Sequence, residues 1–363
     1  MKARINTKAL KNAIERMAYI PRGYQMFTKI TAEAGTITIE ASAPYLYSKE
    51  VIKADLIIEA GTVILDSSEL KKALKSIKAP ELIISSETGK CIISADKDFK
   101  LHTYMIQQFK KAENEAGFKA VINGSELKEA LNRTVHILYK EKEKTKLPID
   151  NLGLIFRDNG ILDVMGATYY RLALYTINYS GNYTGKLLIP KDISEQLKKI
   201  LDNKDIELNI ISRDKKNYIQ IIESNYLLEL ETFSEGYYKY NYPDYNNVVL
   251  TDINFTAVLK REPILNSLKD LLNTIQNDFH FKITFKFTDN KLELITRKGI
   301  KSEIQTDTKG DFEIAFNGNY LIDFLKSFTG EYFIIEAWKS DFQANFKSAE
   351  EPNYIYLLAP VFD

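Results

Sequence analysis

Apolar residues return at the spacing of a one-faced helix six times along the chain, and the six fall into three pairs. Asp66 to Lys78 (DSSELKKALKSIK) sets Leu70, Leu74 and Ile77 at i, i+4 and i+7, after a strand-like Val63-Ile64-Leu65 and polar residues able to cap a helix. LLIPKDISEQLKKI repeats the scheme with Ile193, Leu197 and Ile200, and IAFNGNYLIDFLKSF repeats it with Leu321, Leu325 and Phe328. The copies lie 123 and 128 residues apart, the size of a domain rather than of a solenoid repeat. An earlier helix opens each pair. Residues 7–17 carry Leu10, Ala13, Ile14 and Met17 on one face, and residues 125–135 carry Leu127, Ala130, Leu131 and Val135 with Ser125 as N-cap. Residues 256–272 carry Leu259, Ile264, Leu268, Leu271 and Leu272, with Pro263 as a kink or break.

Strand patterns fill the intervals in matching slots. Residues 36–39, 161–165 and 292–296 are equivalent, as are 82–84, 206–211 and 332–336 directly after the second helix of each pair. A polar turn and a further strand follow each of these, at 91–93, 218–222 and 342–346. Alternation such as ELNIIS and FKITFKF predicts sheets buried mainly on one face. Each unit therefore reads as helix, strands, helix, strands: an α+β domain with two helices on one side of antiparallel sheet. The charged 109–117 (FKKAENEAG) and the Pro-bearing 242–250 (YPDYNNVVL) precede the first helices of the later units, so the expected domains are 1–117, 118–245 and 246–363.

Composition changes this picture little. Hydrophobic residues at 45% and charged residues at 27% suit buried cores, no apolar run has membrane-spanning length, and the amphipathic start MKARINTKALKNAIERM lacks a signal core. Cys91, the one cysteine, sits in a strand pattern and reads as a buried thiol; a cytoplasmic protein is expected. Formal net charge is zero, yet the six helices hold 16 basic residues against 9 acidic ones. Basic helices facing one way and acidic sheets another would suit sequence-independent phosphate contacts; lysine is equally the ordinary solvent-facing residue of such helices. Six helices per chain give twelve in a two-chain ring, and at ~10 Å each they span a circumference of ~120 Å, a diameter approaching ~40 Å. That leaves a hole wide enough for duplex DNA, although domains strung like beads fit the same count.

Enzyme chemistry finds little support. His102, His136 and His280 stand apart, no HExxH pair exists, and no GxxxxGK[ST] or GxGxxG loop is present. Asp96 with Asp98, or Asp202 with Asp205, is conceivable as a nuclease metal site, but such loop carboxylates are ordinarily solvated surface. Trp338 and the many tyrosines fall within strand patterns, where packing is the simpler role than base stacking.

Four stretches together point to a family. GATYYRLAL at 166–174, NYPDY at 241–245, FNGNYLIDFLK at 316–326 and the terminal YIYLLAPVFD at 354–363, set in three repeated domains, resemble the bacterial DNA polymerase III β subunit, the sliding clamp. The resemblance runs the length of the chain and is weakest in the first domain. It implies a head-to-tail homodimeric ring around duplex DNA, without catalytic activity, cofactor, metal or membrane, acting in the cytoplasm at replication forks on the nucleoid. It also implies a pocket between the second and third domains that receives short linear motifs of the replicative polymerase, the clamp loader and repair proteins. Carried over by motif, that pocket takes Ala167, Thr168, Tyr169, Tyr170, Arg171 and Leu172, with Pro243, Asn247 and Val248. Tyr320, Leu357, Leu358, Ala359, Pro360 and Val361 complete it. Leu172, Val248, Leu358 and Val361 would form an apolar wall for Leu and Phe of an extended peptide, with Arg171 for polar contacts; read without the resemblance, LLAPV is an ordinary last strand. The DNA-facing set would be Lys8, Lys11, Arg16, Lys71, Lys72, Lys75, Lys128, Arg133, Lys198, Lys199, Lys260 and Lys326. Leu271, Leu272 and Ile275 would serve either the dimer interface or the core. Departures from the family's pattern fall at Thr168, where Asp is usual, at Asn246 and Asn247, at Ala359, and in the Phe362-Asp363 tail; they bear on which peptide is preferred. Two further readings stand beside the clamp: a clamp-fold peptide-binding scaffold without a ring, and a metal-dependent DNA-processing enzyme.

Overall fold

A computed structural model describes residues 1–17, 26–43, 46–105, 109, 112, 116–138, 148–201, 204–213, 216–223, 225–233, 242–275 and 281–362, apart from the side chains of Asp192, Gln196 and Lys199. One series of elements recurs three times. The first is β1 (Lys2–Asn6), α1 (Thr7–Arg16), β2 (Phe27–Glu33), β3 (Thr36–Ala43), β4 (Leu46–Lys53), β5 (Leu56–Glu59), β6 (Gly61–Asp66), α2 (Ser67–Ser76), β7 (Glu81–Glu87), β8 (Lys90–Ser94) and β9 (Asp98–His102). The second is β10 (Phe118–Asn123), α3 (Gly124–Thr134), β11 (Asn151–Phe156), β12 (Ile161–Ala167), β13 (Arg171–Gly181), β14 (Gly185–Pro190), α4 (Lys191–Ile200), β15 (Asp205–Arg213), β16 (Lys216–Ile222) and β17 (Tyr226–Thr232). The third is β18 (Phe255–Lys260), α5 (Arg261–Thr274), β19 (Lys282–Thr288), β20 (Lys291–Thr296), β21 (Lys301–Gln305), β22 (Phe312–Asn317), α6 (Gly318–Ser327), β23 (Tyr332–Ala337), β24 (Ala344–Ser348) and β25 (Tyr354–Leu358). The α+β class and all six helices agree with the sequence pattern.

Each helix follows a strand with no loop between, and an Asx side chain makes the switch in four of them. Asp66 accepts from the amides of Ser68 and Glu69 at 2.9 and 3.0 Å, and Asn317 accepts from those of Asn319 and Tyr320. Asn6 serves α1 in the same way. The cap of α3 is Asn123, not Ser125: Asn123 Oδ1 takes the amides of Ser125 and Glu126 as well as the Ser125 hydroxyl. The strand before the helix also corrects the reading of 256–272 as one helix. Phe255, Ala257 and Leu259 are buried while Thr256, Val258 and Lys260 are exposed, a period of two, and Pro263 falls harmlessly in the first turn of α5. Trp338 lies just beyond β23 rather than within it.

The chain forms two compact units, Met1–Lys128 with Tyr179–Ser234 and Glu129–Asn178 with Glu235–Asp363. In the first unit one sheet runs β5-β1-β7-β8-β9, and a second run of strands is β10-β15-β16-β17-β4-β3-β2-β6. Its apolar core gathers Leu10, Ile14, Leu70, Leu74, Ile30, Ile37, Ile84 and Ile93, with α1 lying against α2. Cys91 is fully buried there, and burial pushes its thiol up to about 12. In the second unit the strands run β18-β23-β24-β25-β13-β12-β11, beside a sheet β21-β20-β19-β22. Phe285, Phe316, Phe324, Phe333, Phe346 and Tyr354 fill its core, with Phe324 within 6.0 Å of five other rings and α5 against α6.

One pairing repeats between successive series. Within the first unit β4, the fourth strand of the first series, pairs antiparallel with β17, the last strand of the second (Glu50 opposite Tyr226, Leu46 opposite Leu230). Within the second unit β13 pairs likewise with β25, the last strand of the third (Arg171 opposite Leu358, Tyr175 opposite Tyr354). By the same rule, and among the described residues, no last strand pairs with β21 and no fourth strand pairs with β9.

Candidate peptide-binding site

The residues carried over for a peptide pocket all lie in the second unit, and three anchors hold their segments. The first anchor is the seam itself. Ala167 ends β12, Thr168 closes a tight turn by donating its amide to Arg171 O at 2.8 Å, and Tyr169 and Tyr170 stand exposed at the tip. The C-terminal strand lies along this turn: Leu357 is opposite Leu172, Leu358 opposite Arg171, and Ala359 N–H donates to Tyr170 O at 2.8 Å. Val361 N–H then bonds Ala315 O, which leaves Ala359, Pro360 and Val361 half-buried along β22.

Arg171 is the second anchor. Its guanidinium donates to Asp323 Oδ2 at 2.6 Å, to the Tyr356 hydroxyl at 3.4 Å and to Ile137 O at 3.5 Å, and it stacks 4.2 Å from the Tyr320 ring. Burial alone would pull this guanidinium down, but Tyr356 and Asp323 more than reverse it and hold it above its ordinary pKa. Arg171 thus ties the turn to α6, which carries Tyr320 and Asp323; its side chain is 11% exposed, so its polar reach toward a ligand is small. Burial pushes the Tyr356 phenol up to about 12, against the pull of Arg171. A raised acid pKa stabilises the fold below the unfolded value near ~10 and loses that contribution as pH climbs toward 12. Between pH 9 and 11, Tyr356→Phe should lose about 1 kcal/mol less stability than the wild type, read from urea midpoints at each pH.

The third anchor fixes the segment 242–250. Tyr242 is buried and donates to Met165 O at 2.8 Å and Asn151 O at 3.2 Å; Gly153 makes room for its ring, since a Cβ there would sit 2.6 Å from Cε1. Tyr245 donates to Asp163 Oδ2 at 3.0 Å, and that fully buried carboxylate also takes Arg157 Nε at 2.6 Å and the Thr176 hydroxyl at 2.8 Å. Asp244 caps the short turn through the Asn246 amide. Gln343 Nε2 donates to Val248 O at 2.9 Å, and Asn345 bonds both the amide and the carbonyl of Leu250 at 3.1 Å. Because Ala344 lies opposite Leu358, this places Val248 at the flank of the C-terminal strand. Pro243 and Val248 are half-buried and Asn247 is exposed. The intended wall is less open than expected: Leu358 is fully buried in the core and Leu172 is 5% exposed, so Val248, Ala359, Pro360 and Val361 present the accessible apolar surface. Asp163, Asp323, Tyr356, Gln343 and Asn345 were not legible as site residues; only the tyrosines of NYPDY carried a signal.

The basic residues sort by what holds them. In every series the first helix gives a cation to the carbonyl end of the second, where the helix dipole is negative: Lys11 Nζ to Ile77 O at 2.7 Å, Lys128 Nζ to Leu201 O at 3.0 Å, and Arg261 to Phe328 O at 3.0 Å. Arg16 is bonded to Glu223 at 2.7 Å and stacked 4.3 Å over Tyr226, and Arg133 is buried between Glu129 and Glu351 at 2.6 and 3.0 Å. Lys198 pairs with Glu195 at 3.3 Å and Lys71 is half-buried. Lys8, Lys72, Lys75 and Lys326 are exposed, as is Lys260 beside Glu331 at 4.0 Å. The Lys199 side chain lies outside the described residues, as do Asp202 and His280. Leu271 and Ile275 are buried in the core of the second unit and Leu272 packs against it. Among the described residues no group of three His, Cys, Asp or Glu could hold a metal ion, and no helix is long and apolar enough to cross a membrane.

No family model and no curated protein matches the sequence. Solved structures do. The DNA polymerase III β subunit of Thermotoga maritima superposes with a TM-score of 0.88 at 17% identity, over all of this chain and 99% of that one. The chain has the sliding-clamp fold. The DNA polymerase III β sliding clamp of Pseudomonas aeruginosa, solved bound to griselimycin, gives 0.87 at 17% identity, and the β chain of Streptococcus pneumoniae 0.85 at 18%, each with full coverage of both chains.

Proposed function

We propose that this chain is a DNA sliding clamp, a non-catalytic subunit that encircles duplex DNA and confers processivity on a replicative polymerase. The observation that carries the reading is the repeated seam. β4 with β17 and β13 with β25 are the same junction used twice within one chain. A third and fourth use, β21 of each chain on β9 of its partner, closes a head-to-tail homodimer of six domains, 1–117, 118–245 and 246–363 from each chain. Strand pairing of these edges, rather than Leu271, Leu272 or Ile275, then makes the dimer contact. Full-length likeness to DNA polymerase III β subunits supports the same assembly.

Of the proposed DNA-facing set, Lys8, Lys72, Lys75, Lys260 and Lys326 are exposed and could meet phosphate, with Lys198 partly so; Lys11, Arg16, Lys128 and Arg133 hold the protein together instead. Binding to DNA would be independent of sequence and weakened steeply by salt. Short linear motifs of the polymerase, the clamp loader and repair proteins would lie across the turn 168–170, the segment 243–248 and the C-terminal strand, in the cytoplasm at replication forks.

A fluorescent Gln-x-x-Leu-Phe pentapeptide tests the pocket. Val361→Asp puts a charge on a half-buried position that the core does not need, and it should weaken binding at least about tenfold by desolvation. Equal binding by wild type and variant, with both folded, would place the peptide elsewhere.

A further inference from the structure

The first strand of each series ends in a related motif, Ala3-Arg4-Ile5-Asn6, Ala120-Val121-Ile122-Asn123 and Ala257-Val258-Leu259-Lys260, and runs straight into a helix. In the first series this strand has neighbours on both edges. β7 lies on one side and β5 on the other, with Ala3 opposite Ile57 and Arg4 opposite Leu56. In the second, β15 lies on one side and the end of β13 on the other, with Ala120 opposite Gly181 and Ile122 opposite Tyr179. In the third, β18 pairs with β23 on one side, and among the described residues no strand pairs with the other.

The vacancy has a cause in chain length. The filling strand is in both cases the continuation of the fourth strand. From the start of the fourth strand to the start of the strand that leads into the second helix are 15 residues in the first series (Leu46 to Gly61) and 14 in the second (Arg171 to Gly185), but 11 in the third (Lys301 to Phe312). After β21 the chain turns back onto the β19–β20 hairpin instead: Thr306 N–H bonds Asn290 O, Asn290 N–H bonds Thr308 O, and Gly310 N–H bonds Asp289.

The open edge is built to receive. Arg261 N–H bonds Glu331 O, so in this antiparallel register the amides of Leu259 and Ala257 face β23 while those of Val258 and Thr256 face outward. Val258 is 53% exposed and lies opposite Ile334 on β23; Lys260, also exposed, lies opposite Tyr332. We propose that the free edge of β18 accepts a short extended segment of a partner protein as an added antiparallel strand, with an aliphatic residue against Val258, where Leu56 stands against Arg4 in the first series. The internal template for that occupant is β5, Leu56-Ile57-Ile58-Glu59, which fills the same edge of β1 with four residues. This inference stands apart from the proposed peptide pocket, whose residues lie around the β12–β13 turn, on α6, along the C-terminal strand and its extension, and on the 243–248 segment.

The test is a fluorescence-anisotropy titration of the full chain with a labelled peptide of residues 54–61 (ADLIIEAG) and its scrambled control. Val258→Pro deletes the outward amide while sparing the ladder to β23, and Val258→Asp keeps the backbone but charges the contact. Saturable binding of the peptide to the wild type, weakened tenfold or more in both folded variants, is the expected result; if Val258→Pro does not fold, the Asp variant alone decides. No saturable binding overturns the proposal, and so does binding that the variants leave unchanged. A change of solution mass in Val258→Pro without peptide binding to the wild type also overturns it, because the edge then belongs to a second copy.

Discussion

Asp163→Ala is expected to destabilise the protein by about 3–5 kcal/mol, among the largest losses any single side chain in the second unit can produce. The carboxylate is fully buried and takes three donors: Arg157, Thr176 and Tyr245. Removing it leaves a guanidinium that is only partly exposed and a buried phenol without an acceptor, and an unmade buried hydrogen bond costs more than the bond contributes. Tyr245 is also how the 242–250 segment is fastened to β12, so the same change should loosen Pro243, Asn247 and Val248 and weaken pentapeptide binding. Asp163→Asn keeps one acceptor oxygen and should recover part of the loss. Equilibrium unfolding in urea separates the three proteins; an alanine variant within about 1 kcal/mol of wild type would mean that the network contributes little.

Glu303→Pro is expected to convert a dimer to monomers without unfolding the chain. Thr296 N–H bonds Ile300 O, and the register of β20 on β21 then turns the amides of Ser302 and Ile304 toward β20 and that of Glu303 away. Proline at 303 therefore deletes a donor that only a neighbouring strand would use. The two internal seams show what is lost, five opposed residue pairs in each. Since the reading of the ring rests on this edge, the variant should stay folded while abolishing self-association, its melting temperature lowered only by the stabilisation that association gave.

Much of the fold was legible because each helix buries one stripe: Leu70 and Leu74, Leu127 and Leu131, and Leu321 and Leu325 are all buried where the spacing placed them. The strand Phe255–Lys260 was missed because a helical face can be drawn through Leu259, Ile264 and Leu268, while its own alternation is only six residues long. Ser125 lost the cap to Asn123 because the helix begins one residue earlier, and an Asx carboxamide directly before it reaches two amides at once. The site was legible as motifs and illegible as chemistry. NYPDY marked the 242–250 segment, yet the acceptor for Tyr245 lies 82 residues away on β12 and the donor to Val248 lies 95 residues ahead at Gln343. Arg171 looked available to a ligand; its engagement depends on Asp323 and Tyr356, which only folding brings beside it. The lysines misled for the same reason, since nothing local distinguishes Lys11, which closes the end of α2, from Lys8, which is exposed.

The most direct measurement of the central claim is the mass of the whole chain in solution by sedimentation equilibrium, for the wild type and for Glu303→Pro. The account predicts two chains of 41.7 kDa for the wild type and one for the variant. A monomeric wild type, or a dimer that survives Glu303→Pro intact, would contradict a ring closed through β9 and β21 and leave the fold as a peptide-binding scaffold.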